Sequence, residues 1–175
     1  MPHLFSPWTV RELTLRNRIV LAPMYMYSAG ADGQATDWHL AHYGARAAGG
    51  SGLVLTEATA VESRGRISAG DLGLWTDAQI APLARVVRRV QAEGAAIGVQ
   101  LAHAGRKAAA PRCESGRLVA PSAIPFDVEA PTPDALSMAG IDGLIRSWRE
   151  AAARAVEAKF DFIELHMAHG YLLHQ

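Results

Sequence analysis

The sequence predicts an α/β protein built on a parallel sheet. Three observations carry that reading. Short apolar runs recur at 19–24, 53–61, 95–102 and 160–165. Amphipathic stretches with helical period lie between them. The intervals leave room for a crossover helix between successive strands, and such crossovers are right-handed.

Residues 4–16 read as a hairpin with apolar Leu4, Phe5, Val10, Leu13 and Leu15. The first strand follows over 17–24, stopped by Pro23. Gly30 to Gln34 is a loop. Thr36 or Asp37 caps a helix that runs to about Ala48. Gly49-Gly50 ends it, because glycine accepts the left-handed conformation. His39 and Tyr43 lie one turn apart on this helix and read as a surface or packing pair.

Ser51 to Val61 is the second strand. Its unbroken Leu53-Val54-Leu55 run suits a strand buried on both faces, and Glu57-Ala58-Thr59 closes it. Arg64-Gly65-Arg66 reads as a solvated basic turn. Thr76 and Gln79 form a capping box. Ile80, Leu83, Val87 and Val90 then mark one helical face. Pro82 lacks the N–H of an interior position, so either the first turn is separate or the helix bends there. Gly94 ends that helix.

Ala95 to Ala102 is the third strand, with Gln100 inward or at its tip. Residues 103–136 form a long Pro- and Ala-rich segment, and loops of that length are functional or disordered. Cys113 sits there as a free thiol; a single cysteine excludes an internal disulfide. Ser137 caps the last helix, whose apolar face is Ile141, Leu144, Ile145, Trp148, Ala152 and Val156. The fourth strand opens at Phe160 and buries Phe162, Ile163 and Leu165, with Glu164 on its other side.

Periodicity does not separate a doubly wound sheet from a barrel. No Gly-x-Gly-x-x-Gly follows the first strand, which removes one support for a dinucleotide fold. Lys plus Arg and Asp plus Glu both number 17, so no net field favours nucleic acid or a membrane surface. No apolar run reaches spanning length, and no signal-peptide pattern opens the chain. A cytoplasmic location is the expectation.

The chemistry concentrates in Phe160 to Gln175. His166, His169 and Tyr171 follow the fourth strand around Gly170, with no charged residue among them. Strand ends are where α/β proteins build sites. Two imidazoles can hold one oxygen between two N–H donors. A phenol stays protonated at neutral pH and can give a proton. His-x-x-His can also bind zinc, but the pattern is not His-Glu-x-x-His and no further ligand cluster accompanies it, so no metal is expected.

Three segments extend this picture: Ala-Pro-Met-Tyr-Met-Tyr-Ser over 22–28, Gln-Leu-Ala-His-Ala-Gly-Arg over 100–106, and Glu-Leu-His-Met-Ala-His-Gly-Tyr-Leu-Leu-His-Gln over 164–175. Together, in this order, they resemble the old yellow enzyme family of FMN-dependent ene-reductases, closest to its bacterial thermophilic-like subgroup. The resemblance spans nearly the whole chain and implies a (β/α)8 TIM barrel.

Such a barrel needs about 250 residues. The chain is therefore expected to supply, over 1–175, the N-terminal half of one FMN-binding barrel domain: the hairpin and about four strands. By resemblance, the complete protein reduces the C=C bond of an α,β-unsaturated carbonyl or nitro compound. FMN is the cofactor, NADPH or NADH the reductant, and the full-length enzyme a homo-oligomer.

His166 and His169 match the positions that hold the substrate oxygen, and Tyr171 the proton donor. Ala22, Pro23, Met24, Tyr25, Ala58 and Gln100 match flavin-contact positions; Tyr27 matches a substrate-side one. Where the bacterial subgroup has cysteine, this chain has Tyr25; its hydroxyl is expected to reach the flavin edge and raise the potential, with narrowing of the substrate space or plain packing as the alternatives. Other FMN barrel oxidoreductases, of dienoyl-reductase or amine dehydrogenase type, and a non-catalytic half-barrel are the alternatives.

Overall fold

The computed structural model describes residues 3–108 and 117–175. Cys113 lies outside them. The chain opens with β1 (Trp8–Val10) and β2 (Leu13–Leu15), an antiparallel hairpin turned at Arg11. β3 (Val20–Leu21) is shorter than the sequence predicts. Pro23 has no N–H to give a ladder, so residues 22–28 leave the sheet and become loop.

α1 (Asp37–Ala48) follows its Thr36 cap, and Gly50 takes φ 105 just past its end. β4 (Leu53–Ala60) is buried at every position. A separate 3-10 turn over Asp77–Gln79, with Thr76 and Gln79 as its capping box, precedes α2 (Ile80–Ala92). That break places Pro82 in the first turn of α2, where its missing N–H costs nothing. β5 (Ala96–Ala102) comes next. The long segment carries a minor parallel pair, β6 (Val119–Ala120) and β7 (Asp134–Ala135). α3 (Met138–Glu157) starts at Ser137, whose Oγ accepts from Gly140 N–H, and leads to β8 (Phe162–Leu165).

β3, β4, β5 and β8 form one parallel sheet in that spatial order. Each helix links two neighbouring strands, so every strand points its C-terminal end the same way. Two apolar clusters lock the helices on. Tyr43, Val54, Val87 and Ile97 join α1 and α2 to the sheet. Leu83, Val99, Leu101, Ala151 and Ala155 join α2 and α3 to it. Gly98 permits close strand packing: a Cβ there would meet Leu55 Cδ2 at 2.5 Å.

β8 is the last strand of the sheet in this chain, and Phe162 is 38% and Leu165 51% exposed on it. Three expectations need correction. Glu164 does not face away from the site; it pairs with Gln100 across β5 and β8. α3 buries Leu144, Ala151 and Ala155, while Ile141, Ile145 and Val156 are exposed. Of the expected face, Leu144 is buried and Trp148 and Ala152 pack against the core; the small Ala151 and Ala155 let the helix approach the sheet, which turns the buried stripe away from Ile141, Ile145 and Val156. Arg66 is buried, not solvated. It donates to Ala31 O at 2.8 Å and Ser63 O at 3.2 Å, and its guanidinium lies 5.0 Å over the Trp75 ring.

Candidate active site

The C-terminal ends of the four parallel strands close around one cavity of about 510 Å³. Its lining is Ala22, Pro23, Met24 and Tyr25 after β3, Ala58 on β4, Gln100 on β5, Glu164 on β8, and His166, His169 and Tyr171 beyond it. A larger concavity, about 680 Å³, lies between the hairpin and the start of β8, lined by residues such as Arg11, Glu12 and Asp161. It sits at the other end of the strands and holds no comparable set of polar donors.

The three residues after β8 are brought together as their spacing predicts. The His166 and His169 rings meet edge to face at 5.2 Å, and Tyr171 meets His166 edge to face at 5.0 Å. Positive φ at His169 (57) and Gly170 (70) folds the segment back on itself. Lys107 Nζ clamps that turn by donating to His169 O at 2.7 Å, and lies 5.3 Å over the Tyr171 ring. His166 Nδ1 accepts from Ala168 N–H at 3.3 Å, which puts the ring proton on Nε2. Burial first, and the neighbouring His169 second, push the His166 imidazole below its ordinary range. His166 therefore offers an Nε2–H donor without a fixed positive charge at neutral pH, and the His169 ring stands edge to face beside it.

Phenols ring the same space. Burial pushes the Tyr171 hydroxyl up, with Tyr27 and Asp71 adding to it. Tyr25 is pushed up further, first by burial and then by Asp71. Both stay protonated at neutral pH. Tyr25 stacks on Tyr27 with centroids 5.7 Å apart and planes within 6°. Tyr27 itself is 57% exposed. It stands beside the cavity and not in its wall, where the sequence places it only by resemblance.

Gln100 has its orientation fixed. Its Nε2 donates to Glu164 Oε1 at 3.0 Å. A carboxylate only accepts, so the amide cannot turn over, and Oε1 has no protein partner among the described residues. A bound ring with an N–H at its edge would find that acceptor. Glu164 is a residue that sequence reasoning assigned to the opposite face.

Glu57 also belongs to the surroundings of the site, although the sequence reads it only as closing the second strand. It is fully buried behind the loop of residues 22–28, and His39 and Tyr43 are its partners. That pair is packed as read, but it is polar and wired to the site. Among the described residues no group of three or more His, Cys, Asp or Glu could hold a metal ion. No helix there is long and apolar enough to cross a membrane.

Comparison with known proteins fixes the relationship. The model of the NADH:flavin oxidoreductase / NADH oxidase family matches residues 3–175. The chain belongs to that family. An NADPH dehydrogenase of Listeria monocytogenes serotype 4a is 54% identical over 176 residues, covering 100% of this chain and 51% of the relative. An NADPH dehydrogenase of Bacillus velezensis is 52% identical over 173 residues, covering 98% and 50% respectively.

Among solved structures, a morphinone reductase superposes with TM-score 0.91 at 35% identity, over 98% of this chain and 49% of that one. Old Yellow Enzyme from Pichia sp. superposes with TM-score 0.93 at 31% identity, over 98% and 47%. The resemblance read from the three motifs thus holds, and the sheet is part of a (β/α)8 barrel. The chain spans about half the length of the relatives it matches.

Proposed function

We propose that the cavity binds FMN and an α,β-unsaturated carbonyl or nitro compound, and that the chain acts as the N-terminal half of one FMN-binding barrel domain. The observation that carries this reading is the His166, His169 and Tyr171 cluster facing a cavity that also holds an oriented Gln100. The cavity volume falls within the roughly 300–1,000 Å³ of small-molecule sites. Its donor set fits a flavin. Gln100 Oε1 offers an acceptor, and the strand-end backbone of Ala22, Pro23, Met24 and Tyr25, with Ala58, offers a flat, largely apolar wall.

When bound, FMN reduced by NAD(P)H supplies hydride to the substrate β-carbon. The remaining tasks fall to this chain. His166 and His169 hold the substrate oxygen between two N–H donors and draw electron density from the alkene. Tyr171 Oη gives its proton to the α-carbon, so one hydride and one proton saturate the bond. The phenol can do this because it is protonated at neutral pH. Tyr27, beside the cavity, bounds the substrate side.

The test separates the two half-reactions by stopped flow. Tyr171→Phe is expected to slow reoxidation by an enone by about 10²–10⁴ and to spare reduction by NAD(P)H. Equal slowing of both would overturn the assignment and leave Tyr171 a packing residue.

A further inference from the structure

Tyr27 is held in a conformation it does not prefer. Its φ is 54, in the left-handed region that is costly for a residue with a Cβ. A closed circuit of hydrogen bonds brackets it. Met26 N–H donates to Glu57 Oε2 at 3.1 Å. Glu57 Oε1 lies 3.2 Å from His39 Nε2. His39 Nδ1 accepts from Thr36 N–H at 3.0 Å, so the ring proton is on Nε2 and points at the carboxylate. Thr36 Oγ donates to Ser28 O at 3.1 Å, and Ser28 Oγ donates to Met26 O at 3.0 Å. The residues on both sides of Tyr27 are thereby tied to one buried carboxylate.

The strand that carries Glu57 is irregular where it matters. The register of β4 against β5 shifts between Leu55 and Ala58. Bulges of this kind re-aim side chains and gather next to active sites. A carboxylate with no exposure is also an expensive way to fill a core, and apolar residues of similar volume would serve packing alone as well or better.

We propose that Glu57 is a positioning residue: through Met26 directly, and through His39, Thr36 and Ser28, it holds Tyr27 in its left-handed conformation and fixes where the stacked Tyr25–Tyr27 pair bounds the substrate side of the cavity. The functional half of this statement rests on the ene-reductase reading above; the structural half does not.

Two donors, Met26 N–H and His39 Nε2–H, meet the two carboxylate oxygens. Only a carboxylate accepts from both. Glu57→Gln keeps the shape but sets its amide NH2 against one of those donors, so it breaks the circuit. Adding His39→Gln replaces the ring donor with an amide that can turn its oxygen to the new NH2.

The experiment follows two signals of the chain itself. One is amide exchange at Met26, and the other is the mutual ring-current shift of Tyr25 and Tyr27. In Glu57→Gln, Met26 exchange is expected to speed up roughly 10- to 100-fold and the ring shifts to collapse. The double variant Glu57→Gln/His39→Gln is expected to restore both in part. With FMN bound, KM for an enone rises while the rate of reduction by NAD(P)H is kept.

Unchanged exchange and ring shifts in Glu57→Gln overturn the proposal, as does a double variant no closer to wild type than the single one. Should Glu57→Gln not fold, Ser28→Ala cuts the same circuit at its outer link and must move the same two signals. If no enone is turned over even by the full-length wild-type protein, the ene-reductase reading fails, while exchange and ring shifts still judge the role of Glu57.

Discussion

Gln100 and Glu164 stand directly opposite each other on β5 and β8, and the amide of the first donates to the carboxylate of the second at 3.0 Å. The contact joins two strands in the wall of the cavity. It also decides which end of the amide faces the ligand. Glu164→Gln removes that decision, because an amide partner can accept or donate. The variant is expected to fold as wild type but to bind FMN about tenfold more weakly, the effect of losing one oriented hydrogen bond. Isothermal titration with FMN measures it; an unchanged Kd would show that Gln100 needs no orienting partner.

His166 gives a test by pH. Burial and then His169 lower its pKa, so the unfolded chain binds this proton more readily than the folded one. Stability therefore rises with pH across that window. The contribution is complete above the ordinary imidazole value near 6.5 and is lost as pH falls through the folded one. His169→Asn removes the second cause and keeps the first. The His166 ring resonance should then titrate at higher pH than in wild type, though still below about 6.5. A midpoint that does not move would mean that the two rings do not sense each other.

Much of this was readable in the sequence, and the failures share a cause. Cap residues and glycines placed α1 and α2, because those signals are local. The cluster after β8 was visible because three chemically distinctive residues sit within six positions. The face of α3 was legible only in part: Leu144, Trp148 and Ala152 pack as expected, but the helix closes on the sheet through Ala151 and Ala155, and Ile141, Ile145 and Val156 stay exposed. Glu57 was passed over as a strand end because the β4 irregularity has no signal in Leu55-Thr56-Glu57-Ala58. A bulge is fixed by pairing with β5, far along the chain.

Glu62 gives a stability test remote from the cavity. It joins the loop after β4 to α3, accepting from Ser147 Oγ at 2.7 Å, and pairs with Arg64. Burial pushes its carboxyl up. His103, Arg64 and Ser147 more than offset that and hold it at about 2. His103 Nε2 itself stands 3.6 Å away, longer than a hydrogen bond. A carboxyl lowered on folding stabilises above its unfolded value near 4.3 and loses this as pH falls through about 2. Glu62→Gln should cost about 1.5–3 kcal/mol at neutral pH. Urea melts should show the gap to wild type shrinking below pH about 4.3. A gap independent of pH would refute the ionic account.

Tyr25 allows the most specific outcome. From the sequence the expected role is hydrogen bonding to the flavin, which would raise its potential, with narrowing of the substrate space and plain packing as the alternatives. The ring lies flat against Tyr27, with centroids 5.7 Å apart, and forms part of the cavity wall. Its hydroxyl has no protein partner among the described residues. The Tyr25 ring fills volume at the cavity wall, and a cysteine at this position would leave most of that volume empty. Narrowing is therefore the expected role. Tyr25→Cys should raise kcat/KM for bulky cyclic enones at least several-fold relative to small ones, since each methylene that newly fits contributes about 0.8 kcal/mol. The midpoint potential of bound FMN should stay within experimental error. The two quantities move independently, which makes the result decisive. A potential that falls in Tyr25→Cys with no change in substrate preference would reverse the assignment: the phenol would be tuning the flavin, and its stacking on Tyr27 would serve only to aim the hydroxyl.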